Sequence, residues 1–143
     1  MREYKASLEL DVHQVQLWLN LGSTYIRQGR TKSALNAFEI ASKEDPQSSA
    51  AWEQIGLCHF MLHDYDKSMS AYEKSVELNP RSDTAYRGLG VVCMTKYVID
   101  GRNEPLRDRG LDAWHCSLEI KPDQQDLVRL VQKYSPKTTQ PEL

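Results

Sequence analysis

The feature that most constrains this chain of 143 residues is a period of 34 residues in its sequence. Glycine recurs with that spacing at Gly22, Gly56 and Gly90, and Pro46 is followed by Pro80. A fixed period of this length is typical of proteins that stack one supersecondary unit repeatedly. The period therefore predicts a repeat architecture before any single element is assigned.

Within the first unit, the spacing of apolar residues predicts two helices joined by a turn. In residues 15–28 apolar side chains recur at intervals of three and four, which places them on one helix face. Gly29 interrupts this pattern, and residues 34–41 carry a second apolar face. The second helix is expected to end at Asp45, because the residue before a proline is disfavoured in helical conformation. Each unit is therefore predicted to be a helical hairpin, and stacked hairpins are predicted to share a core.

The periodic glycines fall in the middle of the first helix of each unit, where glycine costs about 1 kcal/mol relative to alanine. Their recurrence needs a packing reason. The absent side chain would let the second helix approach, and we expect a large aromatic ring to fill the space beside each glycine. The predicted pairs are Gly22 with Phe38, Gly56 with Tyr72, and Gly90 with Trp114.

The pattern resembles the tetratricopeptide repeat, whose signature of aromatic, small and proline positions is matched throughout the first unit. The matching residues are Trp18, Leu21, Gly22, Tyr25, Ala34, Phe38, Ala41 and Pro46. The resemblance implies an all-α fold, a right-handed superhelical solenoid of antiparallel helix hairpins.

On this basis we expect three full repeats, followed by a capping helix and a disordered tail. The predicted bounds are 15–48, 49–82 and 83–122 for the repeats, 123–135 for the capping helix and 136–143 for the tail.

The first residues of the chain resemble the second helix of such a repeat. Residues 4–10 (YKASLEL) align with 72–78 and with 114–120, so 1–12 is predicted to be the second helix of a partial repeat. Without a first helix its apolar side chains would be uncovered, which favours a longer protein or self-association through this end. Those side chains are Tyr4, Leu8 and Leu10.

The third repeat departs from the period, because Pro80 and Pro122 are 42 residues apart, eight more than 34, and the excess lies near 98–109. Asn103 is a candidate N-cap and Pro105 suits the first turn of a second helix that begins early. The simpler interpretation is a loop and an early helix with solvated charges. The alternative is a projecting element that contacts a partner, because insertions in repeat proteins often serve binding.

Composition and charge narrow the classes of partner. Eighteen Lys and Arg against twenty Asp and Glu give a net charge of -2, which favours neither nucleic acid nor membrane binding. The sequence has no apolar run of membrane-spanning length and no signal-peptide stretch at its start, so we expect a cytoplasmic location. Cys58, Cys93 and Cys116 share no paired spacing and are expected to be reduced structural thiols.

The sequence contains no phosphate-binding loop, nucleophile elbow or zinc-protease motif. His59 and His63 are four residues apart and could bind a metal ion, but the repeat alignment gives them packing and turn positions. Cys93 with Lys96 lacks a third, orienting group. We therefore expect no enzymatic activity, no cofactor and no metal site.

The resemblance implies that the first helices of the hairpins line a concave groove that binds a partner. It places the contact positions one, five, eight and nine residues after the first aromatic residue of each repeat. Those positions are Leu19, Ser23, Ile26, Arg27, Glu53, Leu57, Phe60, Met61, Arg87, Val91, Met94 and Thr95. This mostly apolar stripe suits an amphipathic helix or an extended apolar peptide. The alternative is that these side chains pack against neighbouring hairpins or a flanking segment.

Two specialised groups within the family are not supported by the residues at their marker positions. Members that bind carboxylate-terminated chaperone tails use a clamp of lysine, arginine and asparagine. The corresponding residues here are Leu19, Ser23, Gln54, Thr84 and Gly88. The O-linked N-acetylglucosamine transferases carry one groove asparagine per repeat, and here only Asn20 is present.

The leading hypothesis is a noncatalytic protein–protein interaction scaffold that binds a peptide or helix of a partner in the concave groove. The alternative is an adaptor or targeting segment of a longer catalytic or secretion and assembly protein. If the groove binds a partner, changing Leu57 and Met94 to glutamate is expected to abolish binding and leave stability unchanged.

Overall fold

The computed structural model describes the backbone of residues 2–136 and the side chains of residues 14–136. Within that range the chain forms seven helices and no strand, and none of these helices is long and apolar enough to cross a lipid bilayer. The helices are α1 (Arg2–Arg27), α2 (Thr31–Glu44), α3 (Ser49–Met61), α4 (Tyr65–Leu78), α5 (Asp83–Ile99), α6 (Glu104–Ile120) and α7 (Gln125–Tyr134). Residues 137–143 of the predicted tail lie outside the described residues.

The helices pack as three successive hairpins followed by a single helix. α1 packs on α2, α3 on α4, and α5 on α6, and the second helix of each hairpin also packs on the first helix of the next. α7 packs on α6, and α3 contacts α5 directly, so neighbouring first helices lie side by side. This arrangement confirms the predicted all-α superhelical solenoid of antiparallel helix hairpins.

The predicted contacts between glycines and aromatic rings are present in all three hairpins. A Cβ atom on Gly22 would lie 2.5 Å from a ring carbon of Phe38, and one on Gly56 would lie 2.8 Å from a ring carbon of Tyr72. At the third glycine, the indole of Trp114 occupies the space that a Cβ atom would need. The glycines therefore set how closely the two helices of each hairpin approach.

Buried serine hydroxyls add a second connection between α3 and α4. Ser68 donates a hydrogen bond to the carbonyl oxygen of Gly56 at 2.7 Å, and Ser75 donates to the carbonyl oxygen of Ser49 at 2.9 Å. Both serines are buried. A buried hydroxyl without a partner would cost about 1–3 kcal/mol, so these two bonds fix the register of α4 along α3.

The turn inside each hairpin contains a residue in the left-handed backbone conformation, directly before the N-cap of the second helix. This residue is Gly29 (φ 75°) in the first hairpin, His63 (φ 64°) in the second and Arg102 (φ 67°) in the third. The left-handed conformation costs residues with a side chain roughly 1–2 kcal/mol. Glycine avoids that cost, whereas the histidine and the arginine do not.

The eight additional residues of the third hairpin mainly lengthen its helices. α5 has 17 residues where α3 has 13, and α6 has 17 where α4 has 14. Pro105 lies in the first turn of α6 as expected, and Asn103 occupies the N-cap position but makes no capping hydrogen bond with its side chain. The insertion therefore extends the hairpin by about one helical turn.

The structure differs from the sequence prediction at the start of the chain. α1 is one continuous helix of 26 residues, whereas the sequence predicts a separate helix over 1–12. Val12 stands one period before Pro46 and two periods before Pro80, which follow the ends of α2 and α4. Without a proline there, the backbone has no steric reason to leave the helix. The side chains of Tyr4, Leu8 and Leu10 lie outside the described side chains.

Replacing Gly56 by leucine is expected to lower the free energy of unfolding by roughly 1–3 kcal/mol, because the new side chain must displace the Tyr72 ring. Urea denaturation followed by the helical circular-dichroism signal measures this change. Ala50→Leu adds the same side chain at an exposed position of α3 and serves as the control. Equal stability of the two variants would contradict the packing role of Gly56.

Replacing His63 by glycine is expected to raise the free energy of unfolding by up to about 1 kcal/mol, because glycine adopts the left-handed conformation without steric cost. The change also removes an exposed hydrogen bond of 2.9 Å between His63 Nδ1 and the Tyr65 hydroxyl, which contributes little. Gly29→Ala, at the equivalent turn, is expected to lower the stability. Thermal denaturation tests both variants, and a lower melting temperature for His63→Gly would refute the argument.

Candidate protein-binding groove

The first helices of the second and third hairpins enclose a cavity of about 260 Å³. Four of its lining residues were predicted to bind a partner, and the other three were not. The predicted ones are Leu57, Phe60, Arg87 and Val91, and the others are Tyr72, Thr84 and Gly88.

A second cavity, of about 360 Å³, continues along α5 towards α7. Val91 lines both cavities, so the two are adjacent there, and together they are called the concave groove below. Val98 and Ile99, which belong to the insertion, expose apolar side chains at its edge. The remaining lining residues of the second cavity are Met94, Thr95, Trp114, Leu130 and Tyr134.

Six of the predicted partner-binding residues do not line these two cavities. They are Leu19, Ser23, Ile26, Arg27, Glu53 and Met61. Leu19 and Ile26 are half-buried and pack against the core cluster around Phe38. Ser23, Arg27 and Met61 are exposed, so a role of these three in binding stays a prediction.

Met94 contributes to the core. It is 4% exposed and belongs to a buried cluster with Trp114 and Leu127. A glutamate at this position would carry a charge into an apolar interior, which is strongly unfavourable. The expectation that Met94→Glu leaves stability unchanged is therefore wrong, because α7 and α6 cover a position that the repeat pattern assigns to the surface.

The charged residues predicted to line the groove already form contacts between neighbouring elements of the fold. Glu53 accepts a hydrogen bond of 2.6 Å from the Thr84 hydroxyl, which joins α3 to α5. Arg87 donates to Gln124 Oε1 at 3.1 Å and to Asp126 Oδ2 at 2.5 Å, which joins α5 to the last helix. The hydrogen bond from Arg87 lowers the pKa of the Asp126 carboxyl. These charges therefore hold the groove walls together.

Tyr72 forms part of the wall between α3 and α5, and sequence reasoning did not place it in the groove. Its ring occupies the space beside Gly56 and also beside Gly88 on the next first helix. Burial raises the pKa of the Tyr72 hydroxyl, so the side chain stays neutral. Gly88 was the available signal, because it stands two residues before the periodic Gly90 and the repeat pattern gives it no role.

The residues considered for catalysis or metal binding form no such arrangement in the described part of the chain. Burial raises the pKa of Cys58 to about 12 and that of Cys93 to about 11, so both are neutral thiols at physiological pH. Cys116 is half-buried, and all three cysteines are free. Among the side chains of residues 14–136, no group of three His, Cys, Asp or Glu residues is placed to hold a metal ion.

Comparison with known sequence families agrees with this architecture. The family described as tetratricopeptide repeat matches residues 19–83, which span most of the first two hairpins. Residues 19–83 belong to the tetratricopeptide repeat family. The third hairpin extends the family pattern beyond the matched residues, because Gly90 and Trp114 repeat the contact seen in the first two hairpins.

The sequence relatives within this family are longer proteins. A heat-shock protein cognate co-chaperone of Aspergillus fumigatus is 38% identical over 99 residues, which are 66% of this chain and 28% of the relative. The human superkiller complex protein 3 is 24% identical over an alignment of 134 residues that covers 90% of this chain and 9% of the relative. The chain thus spans less than a third of either relative's length.

Solved structures share the tetratricopeptide repeat fold. The crystal structure of MamA superimposes with a TM-score of 0.73 at 26% identity, over 93% of this chain and 73% of that one. The first tetratricopeptide repeat domain of Spaghetti, solved with an HSP90 peptide, gives a TM-score of 0.75 at 16% identity, over 85% of this chain and 90% of that one. The second likeness shows the fold alone. Together with the exposed apolar groove, the family assignment supports a protein-interaction scaffold.

Proposed function

We propose that the chain is a noncatalytic module that binds an apolar segment of a partner protein, as a helix or an extended peptide, in the concave groove. The observation that carries this proposal is the mostly apolar lining of two adjacent cavities, which extends from Leu57 on α3 to Leu130 on α7 and shares Val91. Val98 and Ile99 at its edge are 57% and 59% exposed, and clustered exposed apolar surface marks interaction sites in soluble proteins.

The groove residues are held in place by the fold, which favours binding. The Phe60 ring packs edge-on against Tyr65 with ring centres 5.5 Å apart, and Trp114 packs against Tyr134 at 6.1 Å. Side chains that are already ordered lose little conformational entropy when a ligand arrives. Binding therefore requires ordering mainly of the peptide.

The proposed ligand differs from a carboxylate-terminated chaperone tail. The five clamp positions hold no cationic residue, and a clamp that neutralises a terminal carboxylate needs cationic donors close by. These residues are Leu19, Ser23, Gln54, Thr84 and Gly88. The likeness to the Spaghetti structure therefore concerns the fold, and its HSP90 peptide does not indicate the ligand of this groove.

The alternative proposal is that the chain is the adaptor or targeting segment of a longer catalytic or secretion and assembly protein. This alternative is supported by the small fraction of its relatives that the chain covers, 28% of the co-chaperone and 9% of the superkiller protein. Both proposals use the groove in the same way.

Val91→Glu is expected to weaken groove-binding peptides about tenfold or more, because the new carboxylate would be desolvated beneath an apolar ligand. The peptides are selected on the wild-type protein from random dodecapeptides displayed on phage, and their affinity is measured by fluorescence polarisation. Ile120→Glu, at an exposed apolar position of α6, is the matched control. If the Val91→Glu variant melts as a folded protein and keeps full affinity, the groove is not the binding site.

We further propose that two copies of the chain associate through α1. Leu17 and Leu21 on α1 are 65% and 38% exposed. In the later hairpins the equivalent positions are covered by the second helix of the preceding hairpin, and they are 0% to 6% exposed. Those equivalents, one and two periods later, are Ala51, Ala85, Ile55 and Leu89.

A second helix would be expected to pack on the α1 face that carries Leu17 and Leu21, and residues 4–10 have the sequence of such a helix. In a continuous α1, the centre of that segment lies about 15 Å along the axis from Leu17, so it does not reach this face in its own chain. An antiparallel second copy brings its residues 4–10 beside Leu17 and Leu21, and two-fold symmetry makes the contact reciprocal.

Changing Leu17 and Leu21 to glutamate is therefore expected to shift the protein from dimer to monomer, because both carboxylates would lie in the contact. Sedimentation equilibrium from micromolar to millimolar concentration measures the effect, with Ile120→Glu as the control for a single added charge. A wild-type chain that stays monomeric over this range would rule out the association.

A further inference from the structure

Beyond the α7 end of the concave groove lies a third cavity, of about 450 Å³, with a basic lining. It shares the lining residues Val98 and Tyr134 with the groove, so the two spaces are adjacent. Three cationic side chains from three elements line it. They are Arg102 in the turn between α5 and α6, Arg107 on α6 and Lys133 on α7. This cavity is called the basic pocket below.

Arg102 is placed at the pocket by an unfavourable backbone conformation. It has a left-handed φ of 67° at a turn position where the first hairpin has Gly29. Its N–H donates a hydrogen bond of 2.7 Å to the carbonyl oxygen of Tyr97 in the last turns of α5. The same left-handed conformation occurs at Gly29 and His63, so it is the regular geometry of these turns, and it fixes the backbone from which the Arg102 side chain extends.

The other two cations are held by contacts of different kinds. Arg107 is half-buried and donates to Asp108 Oδ1 at 3.2 Å. The Lys133 ammonium lies 5.3 Å from the centre of the Tyr134 ring, a cation–π distance. Among the ion pairs formed by residues 14–136, one involves a cation of this pocket, and it joins Arg107 to Asp108. The pocket lining thus carries excess positive charge.

The insertion of the third hairpin supplies most of this arrangement. Arg102 and Arg107 both belong to the segment 98–109, and so does Val98, which lines both the groove and the pocket. A mostly apolar groove beside a basic pocket is complementary to a ligand with both kinds of group. Arginine suits a carboxylate because its guanidinium donates two parallel hydrogen bonds.

We propose that the basic pocket binds aspartate or glutamate side chains at one end of the apolar segment that occupies the concave groove. The partner motif is then an apolar run flanked on one side by acidic residues, with the acidic end at α7. This inference rests on the proposed function of the groove and adds the charge and the orientation of the ligand. Charge complementarity of this kind selects the partner and fixes its register.

The test compares peptides selected from random dodecapeptides on phage by the wild type and by the variant Arg102→Gly/Lys133→Gln. The glycine removes a charge and relieves the left-handed conformation, so the variant is expected to stay folded. Lys32→Gln/Lys43→Gln removes two exposed positive charges from the first hairpin and is the matched control. Circular dichroism confirms that all three proteins are folded.

The wild type and the control are expected to select an apolar run flanked on one side by Asp or Glu, and the pocket variant an apolar run without that enrichment. Wild-type peptides are expected to lose about tenfold in affinity for the pocket variant, a difference that shrinks in 0.5 M salt as ionic contacts are screened. The variants are measured by fluorescence polarisation.

Other outcomes separate the two proposals. The pocket inference is overturned if the wild type selects apolar peptides without acidic residues, or if the pocket variant selects peptides with the same acidic enrichment as the wild type. Either result leaves the groove proposal standing. Peptides whose binding is insensitive to Val91→Glu, or a failure to select any peptide, overturn the groove proposal and the pocket inference with it.

Discussion

The contact between a mid-helix glycine and an aromatic ring is the constraint on which the rest of the structure depends. Each ring fills the volume that a side chain would need, so the two helices of a hairpin pack closely. Tyr72 extends this constraint across hairpins, because its ring meets both Gly56 on α3 and Gly88 on α5. The spacing of the first helices, and hence the width of the groove between them, follows from the size of that ring.

The 34-residue period was sufficient to predict the hairpins and their internal contacts, because those contacts join positions at fixed separations within one unit. Reasoning from the period failed where a residue contacts something outside the repeat. Met94 is buried because α6 and α7 cover it, and the repeat signature does not describe a capping helix. The continuous α1 was not predicted because residues 4–10 match a second helix, and this match outweighed the fact that Val12 stands where the later units have a proline.

The groove lining was predictable in part. Leu57, Phe60 and Val91 line the cavities as the family positions imply. Glu53 and Arg87 also occupy family positions, but their partners Thr84 and Asp126 lie 31 and 39 residues away. Pairings of that range depend on how whole helices are placed, and a polar residue in a sequence does not reveal whether its partner is a ligand or a neighbouring helix.

The two charged contacts between first helices bear on how the array comes apart. Glu53 joins the second hairpin to the third, and Arg87 joins the third to α7. In a linear array, stability depends on coupling between nearest neighbours, and these bonds strengthen that coupling towards the carboxyl-terminal end. Separating the second hairpin from the third, or the third from α7, consequently breaks a polar contact as well as apolar packing. Partial unfolding at these two interfaces therefore exposes a charged side chain that loses its partner, in addition to apolar surface.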